Sequence, residues 1–141
     1  MLIKFLVNSL VIASVVIIHY EVLLQLSNRI PKLTLKPRFR IVLGVYGALF
    51  AHTIEVWIFA IAYYFMIQTE GWGYLEGNFN SSLLDCVYYS FTTYTTLGFG
   101  DIEPIGDIRF LTGIEALTGL VLITWSASFL FLEMQKYWKL K

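Results

Sequence analysis

Three apolar segments, each long enough to cross a lipid bilayer, limit how this chain can fold. A spanning helix needs about 20 consecutive, mostly apolar residues. The stretches from roughly Leu2 to Leu26, Ile41 to Ile67 and Ile108 to Leu132 meet that length. Of the 141 residues, 57% are hydrophobic and only 14% charged, too few charges to cover a soluble domain of this size. The sequence therefore predicts an all-α membrane protein made of one domain. The first segment exceeds the apolar stretch of a signal peptide and no small-residue cleavage site follows it, so it is expected to be retained. A net charge of zero offers nothing to attract nucleic acid. The single cysteine, Cys86, cannot form an internal disulfide and reads as a small buried apolar residue. No nucleophile–base set or metal-ligand spacing appears in the sequence, so no enzyme is expected.

Charge orders the segments. Between the first two lies SNRIPKLTLKPRFR, with Arg29, Lys32, Lys36, Arg38 and Arg40 and no acid, which the positive-inside rule places in the cytoplasm. Pro31 and Pro37 break helical continuity there. Lys136, Lys139 and Lys141 put the C-terminal end on the same side. The connection from Gln68 to Asp107 carries Glu70, Glu76, Asp85, Asp101, Glu103 and Asp107, and is expected outside. The N-terminus is then external, with Lys4 as a weak objection.

About forty residues is too long for a plain connector. A Gly- and Asn-rich turn region with Trp72 and Tyr74 comes first. A short helix is predicted from Ser81 or Ser82, with a serine N-cap and Asp85 in the first turn, where a carboxylate suits the positive helix end. It runs through LLDCVYYSFTTYT, about three turns and too short to cross. TTLGFGDIEP follows, so the segment reads as a re-entrant hairpin. Non-helical backbone at membrane depth is tolerated only where protein buries it or water lines it. Its carbonyls need something to bind, and a permeating cation is one answer. Gly98 and Gly100, at alternate positions, give the backbone freedom to turn successive carbonyls one way. The Thr96 hydroxyl adds an oxygen at the inner end, beside Thr95. The negative C-terminal end of the short helix favours a cation nearby.

CVYYSFTTYTTLGFGD, from Cys86 to Asp101, resembles without gaps the pore-helix and filter region of tetrameric potassium channels, whose filter follows the pattern T-V-G-Y/F-G-D. A looser similarity continues through EALTGL in the third segment, so the resemblance covers about the last half of the chain. It implies that Thr96, Leu97, Gly98, Phe99 and Gly100 coordinate K⁺, chiefly through backbone carbonyls, with Asp101 at the outer mouth and Gly119 as the inner-helix hinge. It also implies a pore domain over residues 41–141: outer helix about 41–67, pore helix about 82–95, filter 96–101 and inner helix about 108–135. Residues 1–40 then add an extra helix and a basic loop. Four copies of the loop are needed to close a pore, most simply as a homotetramer with C4 symmetry in the bilayer. The expected cofactors are none beyond K⁺ in the filter.

Departures from the pattern matter. Leu97 replaces a valine, and its larger side chain has to pack behind the filter. Phe99 replaces the commoner tyrosine and loses a phenolic hydrogen bond. Tyr88 and Tyr89 stand where a tryptophan pair is common. Thr92 occupies the position of a glutamate in some members, so Asp101 needs another partner or water.

Ionisable residues inside the spans are functional candidates by default. His52 and Glu55, three apart on one helix face, are expected to pair against the first helix; a pH sensor or half of a metal site are the alternatives, two ligands being too few for zinc. His19 is expected to reach the interface nearer the cytoplasmic end, and Glu115 to pack behind the pore helix. Leu120, Ile123, Ala127 and Phe131 recur at helical spacing; by the resemblance they line the inner pore, with Phe131 a candidate gate that closes by dewetting. Packing against neighbouring helices is the competing role of this stripe. The reading from sequence is a potassium-selective channel subunit, in a membrane that the lack of targeting or regulatory segments makes a prokaryotic inner one. Its rivals are a non-conducting accessory or sensor protein using His52 and Glu55, and a weakly selective cation channel.

Overall fold

The computed structural model describes residues 2–137; Trp138, Lys139 and Lys141 of the basic C-terminal end lie outside the described residues. Three helices dominate: α1, Leu2–Arg29; α2, Pro37–Met66; and, after a short intervening hairpin, a third at Ile108–Tyr137. With 28 to 30 residues each, they rise roughly 42–45 Å and exceed the hydrocarbon core. All three are long and apolar enough to cross a membrane, and the chain is an integral membrane protein.

The first two helices run further than their apolar stretches. α1 continues to Arg29 and tightens into one 3₁₀ turn at Ile30–Lys32. α2 starts at Pro37, four residues before Ile41, because proline at the first helical position gives up an N–H that would be unpaired there anyway. Arg40 reaches back from this first turn and donates to the carbonyls of Leu33 (2.7 Å) and Leu35 (3.1 Å). The basic connection is therefore bonded to the helix it precedes.

Between α2 and the third long helix, strand β1 (Tyr74–Gly77) leads into helix α3 (Leu83–Tyr94), and strand β2 (Ile102–Ile105) leads into that third helix, α4 (Ile108–Tyr137). α3 has 12 residues, so it rises only about 18 Å. β1 and β2 pair antiparallel, Tyr74 opposite Ile105 and Gly77 opposite Ile102, so the chain returns to the end it left. This ribbon is an addition to the all-α expectation. Its four-residue strands include Pro104 and lack clean alternation, which hid them. Glu76 and Glu103 face each other across it, both exposed.

Buried residues form one cluster where the helices meet. Val15 of α1, Phe59 and Tyr63 of α2, Tyr94 of α3 and Leu111 and Leu122 of α4 are almost wholly enclosed. Between helices in lipid the hydrophobic effect supplies little, so close packing and polar contacts carry the association.

At the ribbon end, the Lys4 ammonium contacts Asp107 at 2.5 Å and also donates to the Gly71 carbonyl. Lys4 thus ties α1 to the two ends of the connection between α2 and the third long helix. Hydrogen bonding from Lys4, with its charge, holds the Asp107 carboxyl below the usual carboxylate range. A depressed carboxylate stabilises the fold above its unfolded value and loses that contribution as pH falls through the folded one. Lys4→Met is therefore expected to lower the thermal midpoint at neutral pH, with the difference from wild type closing below about pH 4. Paired melting curves across that range check this.

Candidate functional site

The hairpin tip is built by its caps. Ser82 is the N-cap of α3, accepting from the Asp85 N–H at 3.1 Å, while the Asp85 carboxylate accepts the Asn80 N–H at 2.9 Å. Hydrogen bonding to the carboxyl, from the Asn80 N–H first and then from the Ser82 side chain, holds Asp85 below its ordinary range. At the other end Thr95 is the C-cap, its N–H donating to Phe91, and the Thr96 N–H donates to Thr93 at 2.9 Å.

Beyond that point the chain leaves helical geometry. Thr96, Gly98 and Gly100 have φ of 59°, 50° and 76°, so left-handed backbone recurs at every second residue. A β-carbon on Gly98 or Gly100 would meet nothing within 4 Å. Backbone conformation, not space within the chain, therefore requires glycine at both positions. Thr96 holds the same conformation with a β-branched side chain, at a cost on the order of 1–3 kcal/mol. The Gly98 N–H donates to the Thr92 carbonyl at 3.0 Å, folding the loop onto the end of α3. Leu97 and Phe99 are 59% and 64% exposed, so within one chain Leu97 does not pack behind the loop.

The surrounding cuff is hydrogen-bonded. Tyr88 donates to the Asp101 carboxylate at 2.9 Å, which supplies the partner Asp101 lacked once Thr92 replaced a glutamate. Thr92 bonds instead to its own helix, through the Tyr89 carbonyl at 2.9 Å, and Thr95 likewise to the Phe91 carbonyl at 2.7 Å. Tyr89 pairs with Thr112 of α4 at 2.9 Å. The Asp101 carbonyl accepts the Asn78 N–H at 2.9 Å, linking the far end of the loop to the segment after β1.

Two residues anchor α3 on α4. Glu115 is fully buried behind α3, as expected, and its carboxylate accepts from Ser90 of α3 and Tyr63 of α2, each at 2.5 Å. One side chain thereby joins three helices. One turn later, Gly119 lies against the end of α3: a β-carbon there would sit 2.1 Å from the Tyr94 carbonyl oxygen. α4 is continuous through Gly119, and close approach accounts for the glycine. Leu120, Ile123, Ala127 and Phe131 are exposed on the single chain, away from the stripe of Leu111, Glu115, Gly119 and Leu122 that packs inward.

A second polar group lies deeper. His52 and Glu55 do pair, Nδ1 to Oε2 at 2.9 Å, but they are not alone. His19, expected at an interface, is fully buried, with Nδ1 2.8 Å from Glu55 Oε1. Spacing within one helix cannot reveal a partner 36 positions away. Tyr94 also donates to Glu55 and lies 2.9 Å from His52 Nδ1.

A bundle of spanning helices that carries a capped, over-short helix and a left-handed glycine loop back to one end defines an integral membrane protein of the re-entrant-hairpin class. The model of the family described as "Ion channel" matches residues 41–136, more than half of the chain, and the chain belongs to that family. It is similar to the "Potassium channel protein kcv" of Paramecium bursaria Chlorella virus 1, 39% identical over an alignment of 54 residues, with 33% of this chain and 57% of that relative covered. The match thus spans just over half the length of the curated relative. No solved structure matches the chain.

Gly119→Ala places a methyl group against a backbone carbonyl that can move only with α3. It is expected to destabilise the fold by about 1–3 kcal/mol by overpacking. Gly113→Ala, where a β-carbon meets nothing within 4 Å, serves as control. Denaturation of both variants in detergent measures the difference.

Proposed function

We propose that the chain is one subunit of a potassium-selective channel, and that the carbonyls of Thr96, Leu97, Gly98, Phe99 and Gly100, with the Thr96 hydroxyl, replace the water shell of K⁺. The observation that carries this reading is the left-handed backbone at Thr96, Gly98 and Gly100. Alternating hands along a loop turn its carbonyls toward one side, the arrangement that a ring of oxygen ligands requires. One chain cannot enclose an ion. Four copies about a C4 axis would, and the exposed Leu97 and Phe99 would then be covered by neighbouring chains or pore walls.

The other parts follow from this. The negative end of α3 favours a cation below the loop, and Asp101, held by Tyr88, stands at the outer mouth. Residues 41–137 make the pore unit, with α1 at its periphery. The basic connection Arg29–Arg40 faces the cytoplasm by the positive-inside rule, so the ribbon end lies outside. The relative's name speaks of potassium, which agrees with the filter sequence. Leu120, Ile123, Ala127 and Phe131 of α4 line the inner passage, with Phe131 at its narrow end.

Purified protein in liposomes with a K⁺ gradient tests the reading. Barium-sensitive K⁺ flux is expected, with Na⁺ flux far smaller; no K⁺ flux, or equal flux of both ions, overturns it. Gly98→Ala is expected to abolish flux while leaving the assembly intact on size exclusion. An alanine in left-handed backbone costs about 1–2 kcal/mol per chain, fourfold in a ring. Phe131→Ser is expected to raise resting flux, because a polar residue there opposes dewetting.

A further inference from the structure

His19 of α1 and His52 and Glu55 of α2 bring one ligand atom each to within 4.8 Å of one another. The Tyr94 hydroxyl, from the last residue of α3, touches both Glu55 and His52. His19 and Glu55 are fully enclosed, whereas the His52 side chain is 16% exposed on the single chain. One feature remains unexplained if these groups merely hold the helices together: two imidazoles and a phenol converge on one carboxylate in the apolar interior of a membrane protein, where ionisable groups are normally excluded.

We propose that His19, His52 and Glu55 bind a first-row divalent cation of borderline softness, Zn²⁺ being the representative, with Tyr94 oxygen or a water completing four-coordination. Imidazole and carboxylate are ordinary ligands for such an ion, and three protein ligands with one further position is a usual set. Metal–ligand distances of about 2.0–2.2 Å put tetrahedral ligands roughly 3.3–3.6 Å apart. The observed nitrogen–oxygen separations of 2.8 and 2.9 Å, with none of the set beyond 4.8 Å, lie within reach of small side-chain rotations. Charge fits as well. One divalent ion with the Glu55 carboxylate, a Tyr94 phenolate and two neutral imidazoles sums to zero, which suits a low-dielectric site. The protons displaced on binding leave to solvent, as for any site with protonated ligands. Three separate helices supply the ligands, and Tyr94 stands two residues before Thr96, so occupancy clamps α1 onto the end of the hairpin. The site does not depend on which ion the pore conducts.

The test uses the full chain in detergent, stripped with a chelator and titrated with Co²⁺, whose four-coordinate complexes absorb strongly in the visible. Expected are an intense band saturating at one Co²⁺ per chain, its loss on adding Zn²⁺, and a higher thermal midpoint with either metal. His19→Asn and His52→Asn are each expected to weaken binding at least tenfold; loss of an outer-shell partner alone typically costs about 10–100-fold. Tyr94→Phe, which keeps the ring, is expected to retain binding and shift the band. A wild-type protein without the band or the thermal shift overturns the proposal, as do histidine variants that bind as tightly as wild type. If a variant does not fold, X-ray absorption of the Zn²⁺-loaded wild type decides: two imidazoles in the coordination shell support the site, and fewer overturn it.

Discussion

A peptide carbonyl in hydrocarbon has no water to accept from, and this constraint shapes the whole molecule. Most of the chain meets it by being helical, each carbonyl answered four residues later. The stretch from Thr96 to Gly100 does not, and everything around it supports an unpaired loop in a fixed shape. Ser82 and Asp85 fix where α3 begins, the Gly98 N–H and Thr92 carbonyl fix how the loop leaves it, and the Asp101 carbonyl and Asn78 N–H fix how it departs. α4 then braces the assembly from behind through Glu115 and Gly119. In the proposed function, a dehydrated cation is what finally answers those carbonyls.

The scaffold divides its labour between polar and steric contacts. Glu115, Ser90 and Tyr63 lock three helices with short hydrogen bonds, whereas at Gly119 the locking comes from the absence of a side chain. In lipid both work well, since helices gain little from burying apolar surface against each other. The family match begins at residue 41, so α1 lies outside it, and α1 is held differently. Its ties are Lys4 at the ribbon end and His19 at depth, with a modest buried stripe of Asn8, Val15 and Leu23 between and beyond them.

The legible parts of the sequence were those set by local pattern. Apolar runs gave the three spans, Ser82 and Asp85 marked a helix start to within a residue, and alternate glycines marked a loop of unusual backbone. What stayed hidden depended on contacts between distant positions. His52 and Glu55 were visible as neighbours on one face, but His19 and Tyr94 join them only through the fold. Gly119 was legible as a glycine within the third apolar segment, yet its packing against the Tyr94 carbonyl could not be read before the helices were placed. The partner of Asp101 is Tyr88, thirteen residues back, a contact that depends on how the loop folds against α3 and so is not set by local pattern.

The ribbon that closes the hairpin sets Glu76 opposite Glu103, an arrangement a sheet normally avoids because like charges directly across strands repel. No basic residue lies on either strand to relieve it. Repeated around a ring of chains, such pairs would surround the entrance with a negative surface potential that gathers counter-ions from bulk. That enrichment would be greatest in dilute electrolyte and would fade as the Debye length contracts. The strain tolerated in two short strands would thus act as an antechamber, raising the supply of cations before any of them is stripped of water.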